Sequence, residues 1–146
     1  MDKAIRDFGV YLEVEKNFSH HTRRSYLTDL QQFHVFLQGS LFSGEWQPGV
    51  VDPARVDQTA VRTFVGALYR DKVKKVTIGR KMAAIRAFFH YLLREGRVSV
   101  NPAAVIQTPR PEKYIPAVLS VDEINALLDA VCKEDGRGLR DRAILE

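Results

Sequence analysis

Thr77, Arg80 and Lys81 fall three and four residues apart, directly after Lys72, Lys74 and Lys75. Guanidinium and ammonium groups donate charge-assisted hydrogen bonds to phosphate oxygens and to the acceptor edges of bases, and a threonine hydroxyl serves either purpose. The small Ala84 beside them suits close approach to a DNA groove. A second set, His20, His21, Thr22, Arg23, Arg24 and Ser25, joins bases to the free backbone N–H groups of a helix start, a favourable arrangement for phosphate. Both sets offer the chemistry of holding a polyanion. The plainer alternative for each is a solvated, capped helix face.

The elements that must position these side chains are helices. In residues 72–97, Ile78, Met82, Ile85, Phe89 and Leu92 recur at i, i+4, i+7, i+11 and i+14, a stripe that faces a core. Thr77, Arg80, Lys81 and Ala84 then form a second face, and Gly79, Ala83, Arg86 and His90 a third. From Arg70 to Arg97 nine Lys or Arg stand against Asp71 and Glu95, a net of +7 in a chain whose total is +4. Charge gathered on one short segment is the footprint expected of a polyanion partner.

Three further amphipathic segments precede or flank this one. Ile5, Phe8 and Leu12 define a helix over residues 3–15 with Asp2 available as its N-cap. Tyr26, Leu30, Phe33 and Leu37 define a longer helix opened by Ser19. Residues 39–56, rich in Gly, Pro, Ser and Asp, read as a long surface loop in which Trp46 is a candidate to be pinned against the bundle. Asp57 then caps a helix carrying Val61, Phe64, Val65 and Leu68, which runs to about Tyr69. The basic helix is expected to begin at Lys75 or Val76, Gly96 is placed for the left-handed residue beyond its end, and Asn101-Pro102 starts a short helical turn.

After Gln107 the character changes. Pro109, Pro111 and Pro116 interrupt any helical period, so residues 107–119 read as a semi-extended linker. Ser120 and Glu123 form a capping box ahead of Ile124, Leu127, Leu128 and Val131, and Leu139 to Glu146 start another helix with neither cap nor breaker. The fold class expected is all-α: a compact four-helix bundle over residues 1–106, the linker, and the first helices of a second domain, truncated, over residues 120–146.

Composition narrows the function further. No apolar run approaches the roughly 20 residues of a membrane span, and MDKAIRDFG lacks the apolar core of a signal peptide, so the chain is expected to be cytoplasmic with no membrane partner. The lone Cys132 has no partner for an intramolecular disulfide and reads as a buried, inert thiol. With four scattered His there is no metal-site spacing, and no cofactor is expected.

Taken in order, several pieces of this chain resemble one family. They are Ser19-x-x-Thr22 with Tyr26 and Asp29-Leu30, Ala84-Ile85-Arg86-x-Phe88-Phe89-x-Tyr91-Leu92, and Asn101-Pro102-Ala103. The proline linker, Leu119-Ser120-x-x-Glu123, and Arg140-Asp141-Arg142-Ala143-Ile144-Leu145 follow. Over essentially its whole length the chain is similar to Xer-type tyrosine recombinases of the phage-integrase family. The resemblance implies a SAM-like core-binding domain followed by the start of a catalytic domain, the two clamping duplex DNA from opposite sides. It implies DNA contacts from His21, Thr22, Arg24 and Ser25 on the second helix and from Lys75, Thr77, Arg80 and Lys81 on the fourth, with Arg86 on a phosphate. It also implies a tetramer of protomers on a recombination site, and either chromosome dimer resolution or DNA integration.

The family's chemistry, attack of a tyrosine hydroxyl on phosphate to form a 3′-phosphotyrosine, needs no metal. It belongs to residues expected beyond Glu146, the first catalytic arginine lying just past the last helix. His21-Thr22-Arg23-Arg24 spells His-x-x-Arg but sits in the wrong domain. None of Tyr11, Tyr26, Tyr69, Tyr91 or Tyr114 has the setting of a nucleophile, so this chain is expected to bind DNA and to cut nothing. Two other readings compete: a helical DNA-binding regulator dimerising on paired half-sites, and a helical interaction module whose basic face meets an acidic protein.

Overall fold

A computed structural model describes residues 1–39, 51–110, 118–131 and 136–145. These residues carry six α-helices and no strand: α1 (Asp2–Val14), α2 (His20–Gly39), α3 (Gln58–Arg70), α4 (Lys75–Arg94), α5 (Val121–Ala130) and α6 (Gly136–Leu145), with a 3-10 turn at Pro53–Arg55. They form two compact units, Met1–Glu112 and Lys113–Glu146, the division falling within the expected linker. No described helix is long and apolar enough to cross a membrane. Trp46, Tyr114 and Cys132 lie outside the described residues.

The first unit is a bundle built around α4. Helix α1 runs antiparallel to α2, with Glu13 paired to Arg23 at one end and Asp2 beside His34 at the other. It runs in the same direction as α4, with Phe8 edge-on to Phe88, Tyr11 stacked 4.9 Å from Tyr91, and Glu15 bonded to Arg94. Phe33 and Phe36 of α2 both meet Phe64 of α3 at 5.1 Å. Burying such rings is the main favourable term in a bundle of this size.

Because α4 is enclosed by its neighbours, one stripe does not suffice for it. Beyond the expected positions, Ala84, Phe88 and Tyr91 are buried as well, so Ala84 belongs to the core and not to an outward face. Burial pushes the Tyr91 phenol up, with the Glu95 charge adding to it. That is the opposite of what a nucleophile requires.

Helix ends follow the local rules with one departure. Ser19 accepts from the Thr22 amide and Asp57 from the Ala60 amide, as the capping residues predict. Asp2 is not the cap of α1. The helix starts one residue earlier than that role requires, at Asp2 itself, with Met1 at the N-cap; the Met1 ammonium donates to the Val51 carbonyl at 2.7 Å, while the Asp2 carboxylate lies 2.9 Å from the buried His34. Val51 and Val56, at the end of the expected surface loop, are core residues. Gly96 has φ +67 and closes α4, its amide donating to the Leu93 carbonyl and the Arg97 amide to Leu92.

The second unit opens with the expected capping box. The Glu123 amide donates to Ser120 Oγ, and the Ser120 amide and hydroxyl donate back to Glu123 Oε2 at 2.8 and 2.9 Å. Those bonds, the amide's first, hold the Glu123 carboxyl below the usual range. A carboxyl lowered on folding contributes its stabilisation above its unfolded titration and loses it as pH falls through the folded value. Acidification below the ordinary glutamate value of about 4.3 is therefore expected to lower the protection of the Ser120 amide, read as its exchange rate relative to that of an unstructured amide at the same pH. Glu123→Gln should abolish this pH dependence of protection, and protection that does not change with pH in the unsubstituted chain would discount the box.

Candidate nucleic-acid interface

Arg80, in the second turn of α4, reaches across to the second and third turns of α2, 55 residues earlier in sequence at Ser25. Its Nη1 donates to Asp29 Oδ2 at 2.5 Å and to the Ser25 carbonyl at 3.4 Å. Asp29 also accepts from Lys81 Nζ at 2.9 Å, and Lys81 donates to Gln32 as well. Asp29 is 1% and Lys81 5% exposed, so the core between α2 and α4 contains a carboxylate serving two cations. Burying charges requires such pairing, because desolvation would otherwise exclude them.

Around this lock, His21, Thr22 and Arg24 are exposed on α2 and Ser25 is half-buried. Thr22 Oγ1 lies 2.9 Å from Ser19 Oγ, and Arg24 has no polar partner among the described residues. On α4, Lys75 is exposed in the first turn, Thr77 is half-buried, and the Arg80 side chain is 43% exposed. Lys74 occupies the exposed N-cap position. The two sets of residues that spacing singled out are linked where Arg80 bonds the Ser25 carbonyl. The cations there surround helix N-termini, whose free N–H groups carry partial positive charge.

Two of the expected contact residues, Lys81 and Arg86, have partners within the chain. Lys81 is 5% exposed, and its ammonium is bonded to the buried Asp29 and to the exposed Gln32. Arg86 is bound to its own chain: Nε donates to the Ala103 carbonyl at 3.1 Å, and Nη2 to the Ile106 carbonyl and to Thr108 Oγ1. Asn101 Nδ2 returns a bond to the Arg86 carbonyl at 3.0 Å. The segment from Asn101 to Thr108 thus lies along the third face of α4, and a Cβ on Gly79 would stand 3.4 Å from Thr108. A guanidinium satisfies several carbonyls at once, which fits Arg86 to this fastening.

The basic segment is accordingly less basic outwardly than its sequence suggests. Arg94 bonds Glu15 and Glu95, which push its guanidinium pKa up, and Arg97 bonds Asp7 at 2.9 Å. What spacing missed is Asp29. It lies on the same side of α2 as Tyr26 and Phe33, three residues after one and four before the other, and an acidic residue on an apolar stripe calls for a cationic partner. Lys72 also stands out, with φ +54 just ahead of α4. Among the described residues no group of three His, Cys, Asp or Glu is placed to hold a metal.

Residues 5–96 match the family model for the phage integrase N-terminal SAM-like domain. The chain is 51% identical over 152 residues to the tyrosine recombinase XerC of Syntrophus aciditrophicus (strain SB), covering 100% of this chain and 47% of the relative. It is 40% identical to the tyrosine recombinase XerC of Pelobacter propionicus, covering 99% and 45% of the two chains. A third relative, the tyrosine recombinase XerC of Staphylococcus saprophyticus, is 34% identical with 100% and 46% covered. The chain spans about half the length of the curated relatives it matches. No solved structure matches it.

Proposed function

The chain belongs to the phage integrase N-terminal SAM-like family, and from that premise we propose that it is the DNA-gripping part of a site-specific tyrosine recombinase. The observation that carries the reading is the bond of the half-exposed Arg80 of α4 to Ser25 and Asp29 of α2, which joins the basic set of His21, Thr22, Arg24 and Ser25 to that of Lys75, Thr77 and Arg80. Phosphates lie against the two helix starts while Arg24 and Arg80 reach base edges. Residues beyond this chain supply the tyrosine nucleophile, and protomers assemble as a tetramer on the recombination site. The parent acts in the cytoplasm on chromosomal or mobile DNA.

Lys72 supports the same surface. Its left-handed φ, set by the bonds from the Lys72 amide to Tyr69 and from the Val73 amide to Leu68, is one that glycine adopts without steric cost. Keeping a lysine there costs about 1 kcal/mol, and it puts a cation directly before α4. Lys72→Gly is expected to raise stability in urea unfolding by about 0.5–1 kcal/mol while weakening DNA binding. A stability loss would contradict the conformational part of this account, and unchanged DNA binding the functional part.

The reading is tested by fluorescence anisotropy on a labelled duplex, with a soluble acidic polymer of equal charge as competitor. Arg24→Glu with Lys74→Glu is expected to abolish binding, whereas Arg6→Glu with Arg62→Glu, the same charge change on α1 and α3, leaves most of it. Equal losses from both pairs would mean that net charge alone is felt. Polymer competing as well as unlabelled duplex would favour an acidic protein partner.

A further inference from the structure

Arg80 meets both of its internal acceptors with the same nitrogen, Nη1. Its Nε and Nη2 make no hydrogen bond among the described residues, although the side chain is held at a buried carboxylate. In a guanidinium those two nitrogens present parallel N–H groups along one edge, the geometry that engages two adjacent acceptors at once. Asp29 neutralises only one of the two cations that it binds, so the cluster has a net positive charge whose exposed end is Arg80.

We propose that Asp29 is a positioning residue which, by holding Nη1, presents the Nε–Nη2 edge of Arg80 as a fixed fork for two adjacent acceptors on duplex DNA. This rests on the DNA-binding reading and adds to it the role of a side chain that touches no DNA. An arginine already fixed loses less side-chain freedom on binding than a mobile one. The acceptors are either O6 and N7 of one guanine in the major groove or two oxygens of one phosphate, which share this chemistry.

The variant that separates positioning from charge is Asp29→Leu combined with Lys81→Met. It removes one negative and one positive group, so net charge is unchanged, and replacing a buried ion pair by apolar residues of similar size preserves the fold. Arg80 keeps its charge and exposure but loses its anchor. Duplexes with random sequence are enriched on the unsubstituted chain, on this double variant and on Arg80→Ala, and affinities are measured across salt concentrations.

A guanine contact predicts that a base preference of about tenfold disappears in both variants, with binding to random duplex unaltered in the double variant. A phosphate contact predicts that affinity drops for all sequences in both variants, but that only Arg80→Ala makes the salt slope shallower, by about 0.9. Wild-type affinity and preference in the double variant, with Arg80→Ala impaired, would overturn the positioning role and leave the DNA reading standing. No duplex binding by the unsubstituted chain would overturn the DNA reading and the fork together. Independently of any variant, nitrogen NMR of the free chain is expected to resolve separate Nη1 and Nη2 signals for Arg80. A single averaged signal would show a freely rotating group and refute the fixed fork.

Discussion

Asp29→Ala is expected to destabilise the helical bundle by about 3–5 kcal/mol, the loss typical of a buried pair deprived of one partner. The magnitude comes from Lys81 and not from Arg80. Lys81 is 5% exposed and its ammonium would retain only Gln32, whereas the Arg80 guanidinium is 43% exposed and would be rehydrated. Arg80→Ala, by contrast, is expected to cost under about 1 kcal/mol, as for a partly exposed pair. Urea unfolding followed by circular dichroism measures both, and Asp29→Leu with Lys81→Met should recover most of the loss. A loss below about 1 kcal/mol for Asp29→Ala would mean that Lys81 reaches water on its own, and the lock between α2 and α4 would have no energetic weight.

The second large effect is on binding. Arg24, Lys72, Lys74, Lys75 and Arg80 lie at or just ahead of the N-terminal turns of α2 and α4. If each neutralises one phosphate, the logarithm of affinity falls with the logarithm of salt at a slope of about −4.5, and raising salt from about 50 to 200 mM lowers affinity about 500-fold. Counting instead all nine cations from Arg70 to Arg97 would give a slope near −8. The smaller value is expected if the contact is confined to the two helix starts, away from Arg86, Arg94 and Arg97, which bond Ala103, Glu15 and Asp7. Anisotropy titrations across salt concentrations distinguish the two. A slope shallower than about −2 would mean that these helix starts are not the principal contact with the backbone.

The internal use of cations also bears on how the two parts of the chain connect. Arg86 fastens the residues that lead out of the bundle, holding Ala103, Ile106 and Thr108 against α4. The expected linker, beginning at residue 107, therefore starts as part of the bundle's surface, and the prolines alone do not set where it leaves. Nothing in the linker's composition hints at this, since the side chain responsible lies 20 residues upstream of the carbonyl that it holds at Ile106.

Helix positions were legible because the signals for them are local. Apolar period, the caps at Ser19, Asp57 and Ser120, and the glycine at Gly96 act within a few residues, and each is found where its spacing predicts. Two places where the local reading of the bundle failed involve distant partners. Asp2 had the right type for a cap, but the helix begins at Asp2 with Met1 at the N-cap, bonded to Val51. Ala84 had the spacing of an outward face, but α4 is enclosed on that side too.

By itself, then, the sequence determined the all-α class, the helices and their apolar stripes, and a family resemblance that the match over residues 5–96 bears out. It also marked the basic helix as the element to examine. Tertiary structure decided which of its cations face outward. Arg80 and Lys81 are both cations assigned by period to one face, yet one carboxylate, 52 residues from Lys81, holds that lysine in the core and leaves Arg80 at the surface. A charge's partner is fixed by packing between helices, whereas a helix's apolar face is fixed by neighbours three and four residues away, and only the second kind of information is written along a single stretch of chain.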